Sequence, residues 1–200
     1  MSSESWDKKY STEEYIYTKD ANRFVIEYAE KLSGKTAIDL AGGEGRNSIW
    51  LAKEGYTVEN IDFSSVALAK FLKFAEEENL ADKCIATEAD ATNFSAQLGK
   101  VDLGVIAYLH IPLDQLEKAI IRLAEHIAPD GHLLGVWHSA ENGEDFSGPK
   151  DRPSLAYMNQ VLGKTNLEIV ALTNREGQIQ TKDGLKPSWT LVVLAKASSL

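Results

Sequence analysis

Thr36-Ala37-Ile38-Asp39-Leu40-Ala41-Gly42-Gly43-Glu44-Gly45-Arg46-Asn47-Ser48 is the stretch that decides the fold. An apolar run ends in an acid, a glycine-rich turn follows, and Ile49, Trp50, Leu51 and Ala52 continue as a helix. Glycines let a backbone turn sharply and let a ligand approach the main chain. Free amides at the start of the following helix face such a ligand. A second acid, Asp62, closes the next strand, Tyr56–Asp62, where it is placed to hold ribose hydroxyls. The unit reads as a nucleoside-cofactor site.

Working outward, the pattern alternates strands and helices. Before the loop lie a polar arm, residues 1–19, holding Trp6, Tyr10, Tyr15 and Tyr17, and a helix predicted over Asp20–Leu32. After Asp62, Ser64 or Ser65 caps a helix over Val66–Glu78. Its apolar residues, Leu72 among them, nearly encircle it and predict burial. Cys84–Ala89 reads as a third strand and Asp102–Tyr108 as a central one, apolar on both faces. Asp114 and Glu117 have the spacing of a capping box for the next helix. His132–His138 is a fifth strand, and a short helix follows at Ser154–Leu162. Leu167–Thr173 and Trp189–Ala195 read as a closing hairpin, joined by a polar connection with Gly177, Gly184 and Pro187. The pattern predicts one domain over residues 1–200, a doubly wound and mostly parallel α/β sheet. Ligands of such sheets sit beyond the carboxyl ends of the strands. Asp39, Asp62, Asp90, Tyr108 and His138 all fall there.

Bulk properties narrow the function. The 200 residues carry a formal charge of −9, which argues against a nucleic-acid backbone as partner. Cys84 is the only cysteine, so no internal disulfide forms, as expected in a reducing compartment. Met1–Ser5 lacks a signal-peptide pattern, and no apolar run is long enough to span a bilayer. The expectation is a cytoplasmic protein with neither a membrane nor a nucleic acid as partner.

Asp39-Leu40-Ala41-Gly42-Gly43-Glu44-Gly45 resembles the first motif of the class I S-adenosylmethionine-dependent methyltransferases. Gly45-Arg46-Asn47-Ser48, Trp50-Leu51-Ala52, Gly55-Tyr56, Trp6–Tyr10 and Tyr108–Pro112 are similar to the small-molecule members of the tellurite- and thiopurine-resistance kind. The resemblance implies a seven-stranded Rossmann-like sheet of order 3-2-1-4-5-7-6, with strand seven antiparallel. It implies S-adenosylmethionine as cofactor, with Asp39, Ala41, Gly42, Gly43, Gly45, Arg46 and Asn47 around its methionine part. Asp62 would take the ribose, Phe63 would flank the adenine, and Asp90 and the Ala91 amide would meet its polar edge. Tyr108 would lie beneath the cofactor. Ala41 departs from the pattern, which usually has glycine there, and alanine argues against a left-handed backbone at that position.

Alternatives stay open. A nicotinamide-dinucleotide oxidoreductase needs G-x-G-x-x-G, and here Gly43 and Gly45 are followed by Ser48. Asp39 would also face a pyrophosphate, whereas a cation carrying an amino group tolerates it. A nucleoside-binding regulatory protein without catalysis is the non-enzymatic alternative. Asp90 can serve the cofactor or cap a helix over Thr92–Leu98, and Phe63 can be a hydrophobic staple. His126, late in a helix, reads as a dipole partner. His132 and His138 share a strand face but stand roughly 20 Å apart, so no metal is expected. His110 and His138 reach the ligand edge, each a base or a polar wall. Trp6, Tyr10 and Tyr15 would wall the methionine end and a small-molecule acceptor as a lid. The acceptor's identity and the oligomeric state are not legible.

Overall fold

A computed structural model describes residues 3–12, 14–144, 146–181 and 184–199. Residues 1, 2 and 13 of the predicted arm thus lie outside the described residues.

Among the described residues six α-helices and seven strands follow one another. They are α1 (Ser3–Tyr10), α2 (Arg23–Ala29), β1 (Thr36–Leu40), α3 (Arg46–Lys53), β2 (Thr57–Asp62), α4 (Ser65–Glu77) and β3 (Cys84–Glu88). Then come β4 (Val101–Ala107), α5 (Leu113–Glu125), β5 (Ile127–His138), α6 (Leu155–Leu162), β6 (Leu167–Thr181) and β7 (Gly184–Ala197). One seven-stranded sheet has the order β3-β2-β1-β4-β5-β7-β6. The pairs among β1 to β5 are parallel, and β7 runs antiparallel to β5 and β6. This is the order, with strand seven antiparallel, that the family resemblance implies.

The two faces of β1 show why helices flank the sheet on both sides. Successive side chains of a strand point to opposite faces. Ile38 and Leu40 join a core with Leu116, Ile120 and Leu123 of α5 and Val161 and Leu162 of α6. Ala37 joins the other core, with Phe24 and Val25 of α2, Ile49 and Leu51 of α3, and Phe71 and Phe74 of α4. Asp39 shares Ala37's parity, so its carboxylate points to the face of α3, under the glycine loop.

Four local expectations change. α2 is shorter than predicted, because Asn22 caps it and accepts from the Phe24 amide at 2.9 Å. Pro112, not Asp114, sits at the cap of α5, and Glu117 pairs with Lys164 at 2.7 Å instead of closing a capping box. Proline's fixed φ suits a helix entry. Leu72 on α4 is 40% exposed, since the arm and the sheet cover other flanks of that helix. The closing hairpin is far longer than its apolar segments. β6 and β7 stay paired through Thr181↔Gly184, beyond the point where β5 stops at His138↔Thr190. There the ribbon has two strands only, and Pro187 tolerates that open edge. Among the described residues no helix is long and apolar enough to cross a membrane.

Candidate functional site

The loop after β1 is built on alternating left-handed residues: Ala41 at φ 56, Gly43 at φ 55 and Gly45 at φ 84. Ala41 therefore overturns the expectation drawn from its identity. Its amide donates to the Ile61 carbonyl at 2.7 Å, which fixes the turn against a cost on the order of 1 kcal/mol. Gly42 has no such latitude: a Cβ there would stand 2.5 Å from Asn60 Oδ1 and 2.7 Å from Asp39 Oδ2. The bare backbone makes room for the Asp39 carboxylate and the Asn60 carbonyl under the loop.

Those oxygens define the site's chemistry. Asp39 is buried, and its Oδ2 accepts from Ser48 Oγ at 2.7 Å, yet Oδ1 has no partner. Asn60 donates to the Gly43 carbonyl at 3.0 Å, and its Oδ1 likewise has none. Burial pushes the Asp39 carboxyl up from 3.8 to about 6. Two buried acceptors without a donor, one of them an acid, fit a cationic or N–H-bearing ligand group. Asp62 closes the loop from β2, its two oxygens accepting from the Gly43 and Ser64 amides at 2.9 Å each. Burial raises its pKa as well.

The remaining loop-side residues distribute unevenly. Asn47 Oδ1 accepts from the Asn22 amide at 2.9 Å, and Asn22 Nδ2 reaches the Tyr108 hydroxyl at 3.5 Å. Asn22 thus ties the loop to the end of β4, where Tyr108 turns left-handed at φ 60. The Arg46 guanidinium lies 5.9 Å from the Tyr17 ring. Phe63 and Ala91 are half-buried. Asp90 is exposed and accepts from the Thr92 amide at 2.7 Å and its hydroxyl at 2.6 Å. No helix forms over Thr92–Leu98, so Asp90 closes a turn and caps no helix.

The arm reaches the loop through contacts no spacing rule announces. Tyr10 is buried, its hydroxyl 2.9 Å from where a Cβ on Gly43 would be, and Trp6 stacks on it at 5.5 Å. Burial, then the nearby Asp62, push the Tyr10 hydroxyl far above its usual pKa. Asp7 Oδ1 accepts from Ser64 Oγ at 2.6 Å, and buried Glu44 accepts from the Ile16 amide at 2.9 Å while pairing with Lys70 at 2.8 Å. Asp7, Glu44, Lys70 and Asn60 were not picked out from the sequence; a charged Glu44 inside a glycine loop was the one available signal. Tyr15 differs from its expected place. Its ring meets Phe74 edge-on at 5.5 Å and its hydroxyl donates to the Lys70 carbonyl at 3.2 Å, so it patches α4.

Beyond Asn22 lies a cavity of about 190 Å³. Tyr108 and His138 line it from the sheet, Arg23 and Phe24 from α2, and Gln178, Ser188 and Thr190 from the ribbon. His110 stacks on His138 at 5.4 Å, with Tyr108 4.9 Å and Phe146 5.1 Å from His138. His110 Nδ1 is 2.9 Å from the Asp151 carbonyl. A carbonyl only accepts, so Nδ1 carries the proton and Nε2 keeps its lone pair, buried without a partner. Burial lowers the pKa of His110, and burial together with His110 lowers that of His138 to about 4. Both imidazoles are neutral at neutral pH. His126 follows α5, with its Nδ1 2.9 Å from the Arg122 carbonyl and its Nε2 accepting from the Ala96 amide at 3.5 Å.

Comparison with known proteins points the same way. A family model described as a methyltransferase domain matches residues 37–131, which span β1 to the start of β5. The probable S-adenosyl-L-methionine-dependent methyltransferase TehB of Haemophilus influenzae (strain 10810) is 25% identical over 112 residues, 56% of this chain and 39% of the relative. The chain thus spans well under half the length of that relative. The crystal structure of TehB from Haemophilus influenzae superposes at a TM-score of 0.75 and 18% identity, over 98% of this chain and 67% of that one. The glycopeptide N-methyltransferase MtfA complexed with S-adenosylmethionine superposes at 0.70 and 17% identity, over 92% and 90%. The glycine loop and its two acids lie within the residues that match the methyltransferase-domain model, and the chain as a whole has the fold of S-adenosylmethionine-dependent methyltransferases.

Proposed function

We propose that this protein transfers a methyl group from S-adenosylmethionine to a small-molecule acceptor by direct displacement. The observation that carries the reading is Asn22, which joins a loop of donor-free buried oxygens to a cavity of single-ring size through Asn47 and Tyr108. When bound, the cofactor supplies an electrophilic methyl group on a sulfonium. Asp39 and the Asn60 carbonyl would hold its ammonium. Ala41, the three loop glycines, Arg46 and Asn47 would line its methionine part, and Asp62 its ribose. Phe63, Asp90 and Ala91 would meet the adenine.

The protein's own work is alignment and proton removal. With the cofactor bound, the acceptor would be held with its lone pair toward the methyl carbon, and on taking the methyl group it would shed its proton. Neutral His138 on the cavity wall takes that proton. His110, oriented by the Asp151 carbonyl, positions it by stacking. Holding nucleophile and methyl in line in a dry site is the larger contribution. The small size of the cavity and the acidic net charge both favour a small molecule over a nucleic acid or a protein.

Titration calorimetry tests the cofactor. S-adenosylmethionine is expected to bind at micromolar affinity and NAD not to bind. Asp62→Ala is expected to weaken S-adenosylmethionine by about 2 kcal/mol, because two charge-assisted hydrogen bonds are lost. Tight NAD binding would overturn the reading.

The arm is the lid of this site, with Tyr10 and Trp6 over the loop and Tyr15 anchoring the segment to α4. It is tied down by Asp7 to Ser64 at the cap of α4 and by the Ile16 amide to Glu44 in the loop, and it adds no strand to the sheet. Deleting residues 1–19 is expected to keep a cooperative melt and to lower turnover about tenfold or more. A fully active truncated protein would remove the lid.

A further inference from the structure

The cavity beside Tyr108 has a polarity that the chain as a whole lacks. The protein carries a net charge of −9, yet no carboxylate lines the cavity among the described residues, and Arg23 is the charged side chain on its lining. The Arg23 guanidinium lies over the Phe24 ring at 4.4 Å. Its Nη2 would stand 2.9 Å from a Cβ on Gly177, so the bare glycine backbone makes room for it. Glu27, one turn along α2 and the natural partner for Arg23, is engaged by Arg175 at 2.8 and 3.3 Å. Arg23 lines the cavity beside Gly177 and Ser188, which pairs with Gly177 across the ribbon, with the Gln178 amide also on the lining. Away from Gly177 the lining is His138 with Thr190, its neighbour across the ladder, and Tyr108 with Asn22 3.5 Å from its hydroxyl.

We propose that this cavity binds the methyl acceptor as a one-ring organic acid, with its carboxylate on Arg23 and the Ser188 hydroxyl and its protonated nucleophile toward Tyr108 and His138. The proposal rests on the methyl-transfer reading for its chemistry. A guanidinium presents a planar fork that matches a carboxylate bidentately. An apolar cavity of about 150 Å³ takes a benzene ring, so the 190 Å³ found here takes a ring with a small substituent. Phe24, Tyr108 and His138 offer ring faces and edges to it. The nucleophile is an O–H or N–H group, because a neutral imidazole is of no use to a nucleophile that has already lost its proton.

Three probes of one shape separate charge from fit: para-hydroxybenzoate, para-hydroxybenzamide and para-hydroxybenzylamine. Each is titrated calorimetrically into the full chain, with S-adenosylmethionine titrated separately into the same preparation. The acid is expected to bind about tenfold or more tighter than the amide, and the amine weakest. Arg23→Gln should erase the preference without moving the melting temperature or the S-adenosylmethionine affinity, and Arg23→Lys should keep part of it. Equal binding of the three probes, no binding of the acid, or a preference that survives Arg23→Gln would overturn the proposal. If S-adenosylmethionine binds and the preference is absent, this inference alone fails. If the preference holds and S-adenosylmethionine does not bind, the anion site stands and the methyl-transfer reading fails.

Discussion

Asp39→Asn is expected to weaken S-adenosylmethionine binding about a hundredfold while raising the melting temperature of the ligand-free protein. Both effects come from one buried carboxylate. Asp39 is 1% exposed, with one oxygen on Ser48 and the other without a donor. Its folded pKa of about 6 lies above the ordinary 3.8, so folding disfavours the ionised form. The associated stability is present below 3.8 and is lost as pH rises through about 6. Above that pH the ionised group costs the folded state about 3 kcal/mol. Asparagine removes the charge and brings an amide donor toward Asn60 Oδ1, so a gain of about 5 °C near pH 8 is expected. An ammonium loses its counter-charge in the same step. The wild-type affinity should also fall as pH drops through about 6, when Asp39 takes up a proton. Calorimetry and thermal melts across that range decide it, and an Asp39→Asn protein of unchanged affinity would take the ammonium away from this acid.

His138→Gln is expected to lower kcat about a hundredfold with cofactor affinity unchanged. Glutamine keeps the bulk of a cavity wall but accepts no proton. The pH profile distinguishes a base from a wall. The folded pKa of His138 is about 4, depressed by burial and by His110, so the neutral form persists well below the ordinary value of 6.5. At saturating cofactor, turnover should stay flat from about pH 8 down to about pH 5 and fall toward 4. The same depressed pKa draws stability down as pH falls from 6.5 through 4, so circular dichroism at each pH must show a folded protein. Turnover that begins to fall near 6.5, or a glutamine variant of undiminished kcat, would assign the proton to another group. His110→Asn should cost less, because His110 acts on the acceptor only through His138, and it should move the acid limb of the profile toward higher pH by relieving His138 of a buried neighbour.

Much of this architecture was legible because it depends on short-range regularities. The apolar run before Asp39, the glycines and the next acid at Asp62 state strand, turn, helix and strand within 27 positions. Period and turn chemistry decide such units locally. The same reasoning failed at Ala41, where side-chain identity argued against a left-handed turn that a hydrogen bond from its amide to Ile61 imposes. It also failed along β6 and β7, whose distal residues are mostly polar because a two-stranded ribbon packs against no core there. Leu72 looked like core because its helix carries more apolar residues than one sheet face can cover.

The sequence by itself determined the strand, glycine loop and helix around Asp39 and the placing of Asp62, Tyr108 and His138 at strand ends, since each follows from what its immediate neighbours can do in a strand or a turn, while the sheet order came from the family resemblance. Only the tertiary structure decided that Asn22 bridges the loop to a cavity, that Asp7 and Glu44 hold the arm while Tyr15 turns onto α4, and that Arg175 takes Glu27 and leaves Arg23 facing the cavity. Those pairings join residues as far as 148 positions apart. Hydrogen bonds and ion pairs between such residues depend on where packed helices and strands bring two side chains, and no local periodicity carries that distance.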